Sequence, residues 1–102
     1  MMRWSPAAPA RPGCPHNRLA RLLAAALPDN IGVGASTLRP WASANFVGAR
    51  HIFPCRGTMP SGLQDQLSAL EWQLPGHIVA DLAVERVGDV CDFRIEILTV
   101  ED

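Results

Sequence analysis

The sequence predicts an α+β fold: a two-layer sandwich with two helices on one face of a mainly antiparallel sheet of about three to four strands, in the order α-β-β-α-β-β. Three observations predict it. Leu19, Leu22, Leu23, Ala26 and Leu27 recur at helical spacing near the start of the chain. Leu63, Leu67, Leu70 and Leu74 do the same in the middle. The last third alternates instead: Ile78, Ala80, Leu82 and Val84 before Gly88 and Asp89, then Phe93, Ile95 and Ile97 after them.

In chain order, "SPAAPARPGCP" suits neither helix nor ladder, so residues 1–15 are expected to form a disordered tail and residues 16–102 a single domain. Asn17 can cap the first helix, and Pro28 ends it. "DNIGVGAST" holds turn residues before a short strand through Ala35 to Arg39. A second strand is expected over Ala42 to Phe53, bounded by Pro40 and Pro54. Ser61 with Gln64 makes a capping box for the second helix, which Pro75 and Gly76 stop.

A two-residue turn at Gly88 and Asp89 sets the register of the closing hairpin, so that Val84 faces Phe93, Leu82 faces Ile95 and Ala80 faces Ile97. On the outer side this register opposes Glu85 to Asp92 and Asp81 to Glu96. Arg94, solvent, a basic partner surface or a divalent cation must offset those like charges.

Bulk properties narrow the function classes. A chain of 102 residues holds one modest core. No apolar run approaches the ~20 residues of a membrane span. All 9 basic side chains are Arg, and they are unevenly placed: residues 1–57 carry about +6 and residues 58–102 about −7. A pI near 6.3 without lysine argues against nucleic acid as a partner, whereas opposed halves favour self-association. The first 28 residues are acid-free like a targeting peptide, but Arg21 interrupts the apolar segment. Cys14, Cys55 and Cys91 are odd in number and lack a Cys-x-x-Cys motif, which fits a reducing cytoplasm.

The stretch "RPWASANFVGARH" carries the candidate surface. One face of an extended strand holds Trp41, Ser43, Asn45, Val47, Ala49 and His51; the other holds Ala42, Ala44, Phe46, Gly48, Arg50 and Ile52 and is expected to meet the helices. Trp41, Ser43, Asn45 and His51, with Arg39 and Arg50 nearby, then form a polar surface for a ligand or partner. A bulge at Gly48 would carry His51 to the opposite side. Catalytic candidates are His51 as general base with Cys55 as nucleophile, or His77 paired with Asp81. Cys14, His16, His51 and Cys55 are zinc-ligand types at spacings unlike known fingers, and no metal or cofactor is expected.

"RPWASANFVGARH", "LPGHIVADLAV" and the terminal "IEILTVED" resemble segments of a group of small bacterial proteins without an assigned activity. The resemblance spans residues 15–102 and implies a single small domain, with nothing on chemistry. The residues themselves favour a small binding protein, a homodimer joined through the sheet face or an edge strand. The competing readings are an enzyme built on a Cys/His or His/Asp pair at a subunit interface, and an accessory chain for a larger protein partner.

Overall fold

The computed structural model describes residues 14–88 and 91–101, so most of the expected tail lies outside the described residues. The elements are α1 (His16–Ala26), β1 (Gly32–Val33), β2 (Thr37–Ala42), β3 (Val47–Arg56), α2 (Leu63–Ser68), β4 (His77–Arg86) and β5 (Asp92–Glu101). The fold is α+β as expected, but the sheet has five strands, all antiparallel. β4 pairs with β5, β5 with β3, and the far edge of β3 is shared by β1 and β2 in tandem.

The expected strand over Ala42 to Phe53 is two strands and a turn. The Ser43 N–H donates to the Phe46 carbonyl at 2.8 Å, and the Phe46 N–H donates to Ser43 Oγ at 3.2 Å. A serine at the start of a turn satisfies the backbone without Gly or Pro, which is why the break left little trace.

The two prolines expected to bound a strand lie inside strands instead. The Pro54 carbonyl accepts from the Gly34 N–H at 2.8 Å, so the Pro54 nitrogen faces the same way, into the interruption between β1 and β2. By alternation, Ala49 turns its amide toward β5, and Pro40, opposite Ala49, turns its nitrogen to the free edge. Pro40 removes no ladder bond, and Pro54 withholds only the reciprocal bond to Gly34, just past the end of β1.

The hairpin differs in register by two residues. Val84 faces Ile95 and Leu82 faces Ile97, and the last ladder bond runs from the Val87 N–H to the Asp92 carbonyl. The loop is longer than the turn expected at Gly88, and Asp89 and Val90 lie outside the described residues. From Asp81 to the loop a shift of two keeps each side chain on its expected face and exchanges its partner. A bulge before Asp81 reverses the facing beyond it, so Ile78, expected beside Leu82 and Val84, opposes Val100 on the outer face and is 52% exposed. Glu85 therefore opposes Arg94, with an ion pair of 2.5 Å, and Asp81 opposes Leu98, so the like-charge oppositions disappear. A bulge lies between Val79 and Asp81.

Both helices start differently from expectation. The Pro15 carbonyl caps α1 by accepting from the Leu19 N–H at 2.8 Å, while Asn17 is exposed in the first turn. The capping box of α2 does not form: Gly62 is its N-cap with φ +74°, and Gln64 Oε1 instead accepts from the Val84 N–H of β4 at 2.9 Å. α2 ends at Ser68, so Leu70 is 42% exposed, yet Leu74 still reaches the interior beyond the helix.

One core results. Leu19, Leu23 and Leu27 from the first helical segment and Leu63, Leu67 and Leu74 from the second join Phe53, Leu82, Phe93, Ile95 and Ile97 of the sheet. All of those sheet side chains lie on one face. Among the described residues no helix is long and apolar enough to cross a membrane.

Candidate functional site

Two places bring chemistry-bearing residues together: a hydrogen-bonded chain on the helix-covered face of the sheet, and the open face opposite. The first is anchored by His51. In "HIFPCR" the odd positions His51, Phe53 and Cys55 face the core and the even positions Ile52, Pro54 and Arg56 face outward. His51 and Thr99 are both fully buried polar side chains. His51 Nε2 lies 2.8 Å from Thr99 Oγ1, and the Thr99 hydroxyl donates to the Ala49 carbonyl at 3.4 Å.

On its other side His51 Nδ1 lies 2.9 Å from His16 Nδ1 at the start of α1, and His16 Nε2 lies 2.8 Å from Ser36 Oγ. The imidazole centroids are 5.1 Å apart with 17° between the planes, well beyond the nitrogen separation. The rings therefore meet side by side through nitrogen rather than face to face. Phe53 covers His16, with centroids 5.6 Å apart and planes at 8°.

One proton order satisfies every link. The Ser36 hydroxyl donates to His16 Nε2, His16 Nδ1–H donates to His51 Nδ1, His51 Nε2–H donates to Thr99, and Thr99 donates onward. Both rings are neutral in this order. One added proton fits on His16 Nε2 if the Ser36 hydroxyl turns to accept; a second would set two N–H groups head to head. Burial, then the neighbouring His16 and His77, pulls His51 down to about 4, and burial also lowers His16.

The second place is the open face. Strand pairing arranges it in rows across the sheet. The middle row runs Arg39, Arg50, Leu98, Asp81; on one side lies Trp41, Gly48, Val100, Ile78 and on the other Thr37, Ile52, Glu96, Ala83. A Cβ at Gly48 would meet the Thr99 carbonyl, and it would lie 3.1 Å from Trp41 Cε2, so only glycine admits the indole there. Arg39, Pro40, Trp41, Arg50 and Leu98 line a shallow cleft of about 450 Å³.

Among the described residues, ion pairs on this face join Arg50 to Glu96 at 3.1 Å, Arg56 to Asp92 at 3.1 Å, and Arg94 to Glu85 at 2.5 Å. Arg39 and Asp81, at opposite ends of the middle row, make no ion pair or hydrogen bond among the described residues. Trp41 Nε1 is shielded from solvent without an acceptor. That costs roughly 1–3 kcal/mol that a phenylalanine would not carry.

The expected polar strip is therefore not assembled. Arg39, Trp41 and Arg50 share the open face, but Ser43 and Asn45 sit exposed in the turn, and His51 points into the core. The facing is the reverse of that expected for β3, and no bulge interrupts its ladders. Phe53 and Cys55 share parity with His51 and gain more by burial than Ile52, Pro54 and Arg56 would.

The catalytic pairs also separate. His51 and Cys55 are four residues apart on one extended strand, about 13 Å. Burial pushes the Cys55 thiol up to about 11, which leaves it un-ionised at neutral pH. In β4, His77 opposes Glu101 and Asp81 opposes Leu98, with the bulge between them, so they face opposite ways. Among the described residues no group of three or more His, Cys, Asp or Glu could hold a metal ion.

Sequence reasoning missed His16, Ser36 and Thr99 as partners of His51. The available signal was the apolar company of His51 in the "HIFPC" alternation. Nothing in one sequence announces which helix residue or loop hydroxyl will meet it.

Comparison of the chain with protein-family models, with curated proteins and with solved structures returns no match. What the two places can do therefore rests on their own geometry.

Proposed function

We propose that this is an interaction protein whose working surface is the open face of the sheet. The observation that carries the reading is the asymmetry of the sheet. Both helices cover one side in a two-layer arrangement, while the other presents Trp41, Ile52, Leu98 and Ile78 among ion-paired charges. An antiparallel face left only to water would alternate more cleanly to polar residues. Light scattering at low and high salt tests it: a dimer is expected, weakened by salt. Because a tryptophan anchor in an interface can be worth about 2 kcal/mol, Trp41→Ala is expected to weaken association by about thirtyfold. A dimer unaffected by Trp41→Ala would count against this surface.

One observation favours a second reading. Ser36, His16 and His51 stand in the order nucleophile, base and orienting group, at 2.8 and 2.9 Å. In acyl transfer the Ser36 hydroxyl would pass its proton to His16 Nε2 as the oxygen attacks a carbonyl. Against it, neither Ser36 nor His16 lines any of three surface clefts found around Trp41, Pro54 and Met59 among the described residues. A fluorophosphonate probe read by peptide mass spectrometry decides: labelling of Ser36 that vanishes in His16→Ala supports catalysis, and an unlabelled Ser36 removes it.

A further inference from the structure

We propose that the occupant of the open face is a second copy of this chain, packed face to face about a two-fold axis that runs parallel to the strands between β3 and β5, with Arg39 of each subunit against the partner's Asp81. The inference rests on the reading of the open face above and names its partner and register.

The middle row of the open face runs Arg39, Arg50, Leu98, Asp81. It is cationic at one end and anionic at the other, and those end charges are the unpaired ones. Arg39 and Arg50 are moreover direct cross-strand neighbours, an unfavourable pairing that only an anion from outside relieves for Arg39. An isologous contact must set the patch on itself. A two-fold axis along the strands reverses each row, so Arg39 lies over the partner's Asp81 and the Arg50 stem over the partner's Leu98. An axis across the strands through this row would set Arg39 on the partner's Arg39.

The neighbouring row agrees. Trp41, Gly48, Val100 and Ile78 reverse onto themselves, so the Trp41 indole, which lies over Gly48, meets the partner's exposed Ile78. Sheets pack about 10 Å apart and are rotated by about 30°. Arg39 and Asp81 stand roughly 7 Å from the axis, so that rotation displaces them by only about 4 Å, within reach of an arginine side chain. The face measures roughly 33 by 19 Å, about 600 Å² on each subunit, which clears the total of about 1,000 Å² that a specific interface needs.

The edges are poor alternatives. β4 carries a bulge, and Gln64 occupies the Val84 N–H. The opposite edge is broken between β1 and β2 and contains Pro40.

The test exchanges charges. Arg39→Asp leaves both ends of the row acidic, Asp81→Arg leaves both basic, and each variant alone is expected to dimerise at least about tenfold more weakly than the wild type. Mixed in equal amounts, the two are expected to form a one-to-one heterodimer of near wild-type affinity, read by light scattering and native mass spectrometry. Rescue on mixing also shows that both variants fold. If the single variants dimerise as the wild type does, or the mixture associates no better than its components, this geometry is wrong while association through Trp41 can still stand. A wild type monomeric at every concentration overturns the second copy as occupant altogether.

Discussion

Lowering the pH from about 7 to about 5 is expected to remove about 2 kcal/mol of folding stability through His51 alone. His51 sits near 4 in the folded protein, against 6.5 for a free histidine. The unfolded chain therefore binds the proton first. The stability held by neutral His51 is fully present above pH 6.5 and declines as pH falls toward 4. His16 acts in the same direction, since burial lowers it too. The hydrogen-bond order supplies the structural reason: the two Nδ1 atoms at 2.9 Å can share one proton but cannot each hold one.

The measurement is urea unfolding from pH 7 to 4.5, comparing the wild type with His51→Gln. Carboxylates contribute to both proteins, so the difference in slope isolates the histidine. The wild type is expected to lose up to about 1.4 kcal/mol more per pH unit in the window between 6.5 and 4. Identical slopes would mean that His51 is not held neutral.

Phe53→Ala is expected to cost about 3–5 kcal/mol, which for a domain with typical stability of 5–15 kcal/mol is a large part of the total. Phe53 is fully buried on β3, the strand that pairs with β1, β2 and β5, and its ring also covers His16. Its removal thus opens a cavity and exposes one end of the histidine chain to water. Phe53→Leu refills most of the volume and should recover the larger part of the loss. Denaturant midpoints would check both, and an alanine variant losing under about 1 kcal/mol would contradict the burial.

How much of this was legible in the sequence follows from which signals are periodic. The Leu19, Leu23 and Leu27 stripe and the alternation of Phe93, Ile95 and Ile97 announce their elements and buried faces, because burial repeats with the geometry of helix or strand. Partner identity carries no such period. From Asp81 to the loop the β4–β5 hairpin kept its faces but not its pairs, since a loop longer by two residues leaves parity untouched, while the bulge before Asp81 turned Ile78 outward. Pro40 and Pro54 misled for a related reason: proline forbids a strand only where its nitrogen must donate, and here one faces an edge and the other a gap. Unbroken alternation from Trp41 predicts His51 on the outer face, whereas the turn at Ser43 resets the facing and Thr99 and His16 supply the bonds that let it sit inside. Those partners are 48 and 35 residues away in sequence.

β5 follows every other element of the sheet in sequence, yet it lies between β3 and β4. During synthesis, then, β3 is finished at Arg56 while the strand that covers its inner edge begins only at Asp92. At ordinary elongation rates the delay is roughly 2 to 7 seconds. Until β5 docks, the edge of β3 beside Phe53 is unpaired, the kind of surface that makes a partly folded chain prone to aggregate. Its hazard in the cell is thus concentrated at birth, and lesions that slow β5 docking should lower yield of folded protein even where they leave the finished fold as stable as before.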